Sequence, residues 1–135
     1  VLGWAAVTDT IAPEALLLFL IIFIWTPPHF WALALYRRDD YARAGLPMLP
    51  VVDKAGGVTG RQALLWAATL IPISQIPVQQ GLSGAIYSIG ALVLGLAQLA
   101  LAFNFALRRT DTNARLLFYG SITYLPLLWA AMILA

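Results

Sequence analysis

The sequence predicts an all-α membrane protein with four transmembrane helices. Hydrophobic residues make up 61% of the 135-residue chain and charged residues only 10%, whereas soluble domains carry about 25% charged residues. So much apolar surface requires membrane lipid as its solvent. The eight lysines and arginines lie in or beside two of the three connections between the apolar segments. The net charge of +2 gives no reason to expect a nucleic-acid partner.

The first transmembrane helix is expected at about residues 12–35. Pro13 and Glu14 suit a first helical turn, where proline loses no needed N–H and an acid faces the positive helix end. Pro27 and Pro28 should kink the helix near its far end. Residues 1–10 are predicted as a loop. Because the chain starts at Val1 without Met, we expect it to be the C-terminal part of a longer protein.

Three further helices complete the predicted bundle. Their expected ranges are about 62–78, 85–107 and 114–135, and the connection between the first and second helices is expected to be a polar loop at 36–60. Gly56 and Gly57 are interpreted as a break in that loop. Gly90 and Gly95 should allow a neighbouring helix to approach closely.

The basic residues indicate an orientation for the four helices. They occur only in the loop after the first helix and around the turn after the third: Arg37, Arg38, Arg43, Lys54, Arg61, Arg108, Arg109 and Arg115. By the positive-inside rule, both regions should face the cytoplasm. We therefore expect a multi-pass protein of a bacterial inner (plasma) membrane.

Asp39 and Asp40 are candidate ligands of a metal–diphosphate complex. Mg²⁺ prefers carboxylates together with phosphate oxygens, and the neighbouring Arg37, Arg38 and Arg43 suit phosphate binding. The alternative is a solvated loop whose charges only anchor the helix end. Since the chain has one His and no Cys, a classical metal cluster within it is excluded.

His29 is the second candidate, because ionisable residues inside a membrane are costly and usually face an interior or a cavity. It could bind haem iron, shuttle a proton, or simply hydrogen-bond a carbonyl that the two prolines leave free. Aromatic residues cluster at the same membrane boundary, at Trp25, Phe30, Trp31, Tyr36 and Tyr41. They form either an interfacial belt or the wall of a pocket for a flat or prenyl ligand.

Three strings stand out in this region: WTPPHFWALAL at 25–35, DDYARAG at 39–45 and LPMLPVV at 46–52. Together they closely resemble the signature of the haem O synthases (protoheme IX farnesyltransferases), a branch of the UbiA-type intramembrane prenyltransferases. Two weaker matches, GWAAVTD at 3–9 and LLFYGSITYLPLL at 116–128, resemble the loop before the sixth helix and the last helix of the family. The resemblance thus covers nearly the whole chain.

The resemblance implies a fold and a reaction. Family members have nine transmembrane helices around a central cavity, and residues 1–135 would be the C-terminal part of one such domain, with its last four helices. The implied reaction transfers a farnesyl group from farnesyl diphosphate to haem B, giving haem O and diphosphate, with Mg²⁺ as cofactor. The family's first acidic motif is absent here, so we expect the chain alone to be inactive and to need the missing N-terminal half as a partner. A downstream haem A synthase or an oxidase-assembly factor is a further expected partner.

The resemblance also implies roles for individual residues. Asp40, with Asp39 beside it, is expected to bind the Mg²⁺–diphosphate and to be catalytic. The other expected binding residues are His29 and Trp31 at the haem or prenyl cavity and, around the diphosphate loop, Arg37, Arg38, Tyr41 and Arg43.

Two other hypotheses fit the same residues. One is a different UbiA-type prenyltransferase, whose acceptor is a quinone ring, a chlorin or a phenol. The other is a non-enzymatic haem-binding membrane subunit, which would not need the acid pair. Replacing Asp40 with Asn separates them, since only an enzyme should lose its activity.

Overall fold

The computed structural model describes residues 1–134, and within that range the chain forms seven helices and no strand. The helices are α1 (Leu2–Thr8), α2 (Pro13–Tyr36), α3 (Arg38–Arg43), α4 (Leu49–Val52), α5 (Gly57–Gln79), α6 (Ala85–Leu107) and α7 (Asp111–Leu134). The predicted all-α class is therefore confirmed. The predicted end of the last helix at Ala135 lies outside the described residues.

Three of the four long helices, α2, α6 and α7, are long and apolar enough to cross a membrane. The fourth, α5, has 23 residues, which at 1.5 Å per residue gives roughly 35 Å, enough for the hydrocarbon core. It is not among the apolar candidate spans, and Arg61, Gln62 and Gln75 lie along it. All four predicted helices exist, and three have the apolar character of a span.

The four long helices form a closed ring. Helix α2 packs against α5 and α7, and α6 packs against the same two helices. Two groups of buried side chains fill the ring. One holds Ala32, Leu35, Ala63, Ala67, Ala102, Phe105, Ala114 and Leu117, and the other holds Ile21, Leu70, Tyr87, Ala91, Tyr124 and Leu128. The many alanines in the first group allow the helix backbones to approach closely.

Close helix contact at Gly95 is confirmed. A Cβ atom at this position would lie 2.9 Å from Cγ1 of Ile71 on α5, so only glycine fits there without a shift. At Gly90 the nearest atom is Cβ of Ala131, at the ordinary distance of 3.7 Å. Of the two predicted glycine contacts, only the one at Gly95 is therefore tight.

The prediction of a loop at residues 1–10 is wrong for most of that range, because α1 covers Leu2–Thr8. Strong helix formers such as Leu2 and Ala5 favour these roughly two turns of helix. The Thr8 hydroxyl donates to the Trp4 carbonyl at 2.9 Å, and Asp9 ends the helix in the left-handed region with φ 56°.

The 36–60 connection is more ordered than predicted. It holds the short helices α3 and α4, and α5 already begins at Gly57. The carboxylate of Asp53 accepts hydrogen bonds from the backbone N–H of Thr59 at 2.8 Å and from its hydroxyl at 3.1 Å. Asp53 thereby satisfies a backbone donor of the first turn of α5 that would otherwise lack a partner, and Gly56 provides the left-handed entry with φ 78°.

Candidate functional site

The predicted functional residues gather at one end of the ring, where α2 ends, α5 begins, α6 ends and α7 begins. We call this the basic end, comprising residues 36–61 and 107–115. Arg109 joins its two parts, because its Nε atom donates to the Ala55 carbonyl at 3.3 Å and its Nη1 atom to the Ala106 carbonyl at 2.6 Å. The two basic segments, far apart in sequence, therefore form one surface.

Asp40 lies between two arginines of its own motif. Its carboxylate accepts a hydrogen bond from Arg43 and another from Nη1 of Arg37 at 3.4 Å, both at the i, i+3 spacing of one helical turn. The Arg43 guanidinium first, and then that of Arg37, hold the pKa of the Asp40 carboxyl below its usual value. Asp40 is thus ionised at neutral pH and already surrounded by the cations predicted to meet a diphosphate.

Asp39 and Asp40 open onto different cavities, since consecutive residues of a helix point about 100° apart. Asp39 lines a cavity of about 330 Å³ together with Arg38 and Lys54, between α3 and α4. Asp40 lines one of about 320 Å³. Its other lining residues are Arg37, Tyr41, Ala44 and Leu46. Each acid therefore has its own cationic surroundings, and Tyr41 lies beside Asp40.

The ring of Tyr36 brings a cation from α7 to this site. The Arg37 guanidinium lies 5.9 Å from the ring centroid of Tyr36, and the Arg115 guanidinium lies 5.4 Å from it. Both distances are within cation–π range. Arg115, which was read from the sequence only as an orientation signal, thus lies next to the DDYARAG motif.

Residues 1–134 contain no group of three or more His, Asp or Glu side chains placed to hold a metal ion. Asp39 and Asp40 are consecutive acids on α3. Mg²⁺ commonly takes one or two protein carboxylates and completes its shell with phosphate oxygens and water. Two exposed carboxylates among arginines suit that mode of binding.

His29 and Trp31 face different neighbours. The ring of His29 stacks between Trp25 and Phe118, and its Nδ1 atom lies 2.5 Å from the hydroxyl oxygen of Ser121 on α7. Trp31 instead meets Trp66 of α5 edge-on, with ring centroids 6.3 Å apart. The two residues predicted to line one cavity therefore lie at two seams of the ring.

Three residues of these sites were not among the predicted site residues. The sequence analysis used Lys54 and Arg115 only to predict the orientation in the membrane. It made no prediction for Ser121. Ser121 contacts a residue 92 positions away, so no local pattern could have paired it with His29. The match of residues 116–128 to a family string was the one signal that pointed to its helix.

Comparison with known proteins gives the chain's relatives. The sequence profile of the UbiA prenyltransferase family matches residues 1–132. The chain is 53% identical over 136 residues to a protoheme IX farnesyltransferase of Thiobacillus denitrificans, covering 99% of this chain and 45% of that protein. It is also 53% identical over 133 residues to the protoheme IX farnesyltransferase of Polynucleobacter asymbioticus, covering 98% of this chain and 44% of that protein.

The chain is much shorter than these relatives. It spans less than half of their length. No solved structure shows a significant match to it. Because the family profile covers almost every residue from the first helix to the last, the chain belongs to the UbiA prenyltransferase family.

Proposed function

We propose that this chain is part of a protoheme IX farnesyltransferase, which transfers a farnesyl group from farnesyl diphosphate to haem B and releases diphosphate. The observation that carries the proposal is the 53% identity, over nearly the whole chain, to relatives that bear this name. The product would be haem O, which is heavier than haem B by a farnesyl group and a hydroxyl group. The farnesyl carbon would bond to a vinyl group of haem B as diphosphate leaves, and a water molecule would then add to the vinyl carbon left cationic, supplying the hydroxyl and releasing a proton. The proposal extends to the C-terminal position of this chain in a nine-helix domain.

The diphosphate is proposed to bind at the basic end. Arg37 and Arg43 already flank one carboxylate, and Arg38 and Lys54 share a cavity with the other. Arginine forks suit phosphate oxygens, and a departing diphosphate is stabilised where such donors are already in place. Arg115 is close enough to join them through the ring of Tyr36.

Asp40 is proposed to be the main ligand of the divalent cation that accompanies the diphosphate, with Asp39 contributing from the adjacent position of α3, and Mg²⁺ is the cation we expect. When bound, this ion would neutralise charge on the leaving diphosphate. The carboxylate of Asp40 has a second task. It pairs with Arg37 and Arg43, so that both guanidinium groups are ordered before a phosphate binds.

The aromatic residues of α2 and α7 are proposed to shield the transfer from water. Trp25, Phe118 and Tyr36 form a continuous edge from the His29 pocket to the basic end, since Phe118 contacts both His29 and Tyr36. An allylic cation formed as diphosphate leaves would be stabilised by aromatic faces and protected by a site that excludes water. The acceptor haem would lie along this edge.

We further propose that the basic end faces the cytoplasm of a bacterial inner membrane. All eight basic residues lie within the two segments of this end. By the positive-inside rule, such segments are expected in the cytoplasm. Haem B and farnesyl diphosphate would then enter from that side. A haem A synthase or an oxidase-assembly partner would take up the product.

A transfer assay on purified protein tests the proposal. The chain, completed with any coding sequence that precedes residue 1, is supplied with radiolabelled farnesyl diphosphate, Mg²⁺ and either haem B or a prenyl-accepting quinone precursor. We expect label only in the farnesylated haem product, and none there after chelation of Mg²⁺. Label in the quinone precursor with none in haem would contradict the haem assignment and leave the prenyltransferase family unaffected.

A further inference from the structure

His29 lies in a pocket built from one hydroxyl and two aromatic rings. Its ring centroid is 4.4 Å from that of Trp25 and 4.7 Å from that of Phe118, with interplanar angles of 21° and 22°. Its Nδ1 atom is 2.5 Å from Oγ of Ser121, a residue with no exposed surface. The imidazole is therefore held on both faces and at one edge.

The hydrogen bonds of Ser121 favour the His29 tautomer that carries its proton on Nδ1. The Ser121 hydroxyl donates to the Phe118 carbonyl at 2.7 Å, and a carbonyl can only accept. Since a hydroxyl has one hydrogen, this donation leaves Oγ to accept from His29, an arrangement that assigns the proton to Nδ1. The indole N–H of Trp25 donates to the Ser121 carbonyl at 2.9 Å and fixes the same turn of α7.

The other nitrogen, Nε2, keeps its lone pair. Among residues 1–134, the hydrogen bond found for His29 is the one made by Nδ1. The side chain is only partly buried, and its neighbour Phe30, 45% exposed, stands edge-on to it with centroids 5.8 Å apart. The pocket thus presents one unshared electron pair beside exposed aromatic surface.

We propose that His29 Nε2 is an axial ligand of the haem iron, and that Ser121 is the positioning residue that fixes its tautomer; this rests on the proposed function, with haem as the acceptor. Histidines that bind metals donate their other N–H to an oxygen, which sets the ring and raises its basicity. Ser121 supplies that oxygen here. A neutral imidazole is a usual ligand of haem iron, and His29 is the only histidine of the chain.

The aromatic neighbours favour a flat ligand over a bare ion. Trp25 and Phe118 already stack on the imidazole, and Phe30 and Tyr36 extend the aromatic surface along α2. A porphyrin held through its iron could contact such faces in offset or edge-on arrangements. Iron ligation at His29 would fix the distance between the porphyrin and the guanidinium groups of Arg37 and Arg115 beside Tyr36.

Absorption and resonance Raman spectra of haem added to the purified protein in lipid nanodiscs test this. The protein is the chain completed with any coding sequence that precedes residue 1. We expect an iron–histidine stretching band in the ferrous wild type and its loss in His29→Ala, with added imidazole restoring it. In Ser121→Ala we expect the band to shift to lower frequency and haem affinity to fall on the order of tenfold.

Thr123→Ala is the matched control. The Thr123 hydroxyl also donates to a carbonyl one turn earlier, that of Tyr119 at 2.9 Å, but meets no histidine. Its spectrum should equal that of the wild type. If His29→Ala does not fold, His29→Gln, which keeps an N–H for Ser121 and lacks the ring nitrogen, replaces it.

The outcomes separate the two proposals. An unchanged iron–histidine band in His29→Ala, with farnesyl transfer to haem still occurring, would overturn the ligand assignment and leave the proposed function standing. Loss of transfer in that variant with an unchanged band would also overturn it and would make His29 a proton acceptor. Folded wild type that binds no haem would overturn both proposals.

Discussion

The side chain of Arg109 lies directly over Gly56. A Cβ atom at residue 56 would be 2.6 Å from Cδ and 2.7 Å from Nε of Arg109, and the backbone of Gly56 has φ +78°. The same arginine donates to the neighbouring Ala55 carbonyl. Glycine at residue 56 therefore lets the α6–α7 turn close onto the start of α5, which assembles the basic end.

This contact predicts that Gly56→Ala destabilises the protein. The new methyl group would collide with Arg109, and a left-handed backbone is strained for alanine, so we expect a loss of about 1–3 kcal/mol. Gly57→Ala is the control, because nothing lies within 4 Å of a Cβ atom there, and it should change stability by less than about 0.5 kcal/mol. Thermal unfolding in detergent measures both, and equal midpoints would refute the contact.

The carboxylate of Asp53 should make a pH-dependent contribution to the free energy of unfolding. The backbone N–H of Thr59 is the main cause that holds the pKa of the Asp53 carboxyl below its usual value. A lowered folded-state pKa gives stability that is present above the unfolded value of about 3.9 and is lost as the pH falls through the folded value. Asp53→Ala should therefore cost about 1 kcal/mol at pH 7.

The pH series separates this cap from a packing effect. The difference between wild type and Asp53→Ala should shrink as the pH falls below about 4. Thr59→Val, which keeps the backbone donor and removes the hydroxyl, should give a smaller loss at pH 7. A difference between wild type and Asp53→Ala that stays constant from pH 7 to pH 3 would show that the carboxylate does not act as a cap.

Asp40→Asn should reduce farnesyl transfer by about 100-fold or more, because it removes a charge from the proposed cation site and frees Arg37 and Arg43 from their partner. Folding should be preserved, since the side chain is exposed. The control is Asp111→Asn, an exposed acid in the first turn of α7 at the same end. Equal transfer rates for Asp40→Asn and the wild type would contradict the proposed role of Asp40 at the cation.

The orientation can be tested directly because the chain has no Cys. Lys54→Cys lies at the basic end and Gln80→Cys at the opposite turn, and both positions are exposed. In intact cells, a membrane-impermeant thiol reagent should label residue 80 and not residue 54. After the membrane is permeabilised, both should react. Labelling of residue 54 in intact cells would reverse the proposed topology.

Much of the fold could be predicted from the sequence, because long apolar segments between polar turns are typical of membrane helices. Helix α6 has the predicted range, 85–107, since polar turns bound a charge-free apolar run. Helix α5 begins five residues before its predicted start at 62. The sequence predicted a break at Gly56 and Gly57, whereas Gly56 is the entry to the helix and Asp53, three residues earlier, accepts the N–H of Thr59 in its first turn.

For the site, the sequence predicted which residues take part but not how they are arranged in space. The motif placed Asp39, Asp40 and three arginines in one segment, but only the short helix α3 shows that the two acids open to different cavities. Arg115 of α7 reaches Tyr36 on the neighbouring helix α2. Such contacts depend on the packing of α2 against α7, which cannot be predicted from the periodicity of either helix alone.

The mass of haem extracted from membranes tests the central claim most directly. A bacterial strain that lacks its own haem-farnesylating activity is supplied with the chain completed by any preceding coding sequence. The proposed function predicts a new haem heavier than haem B by a farnesyl group and a hydroxyl group, present with the wild type and lost with Asp40→Asn. Unmodified haem B alone, in membranes that contain the folded wild-type protein, would contradict it.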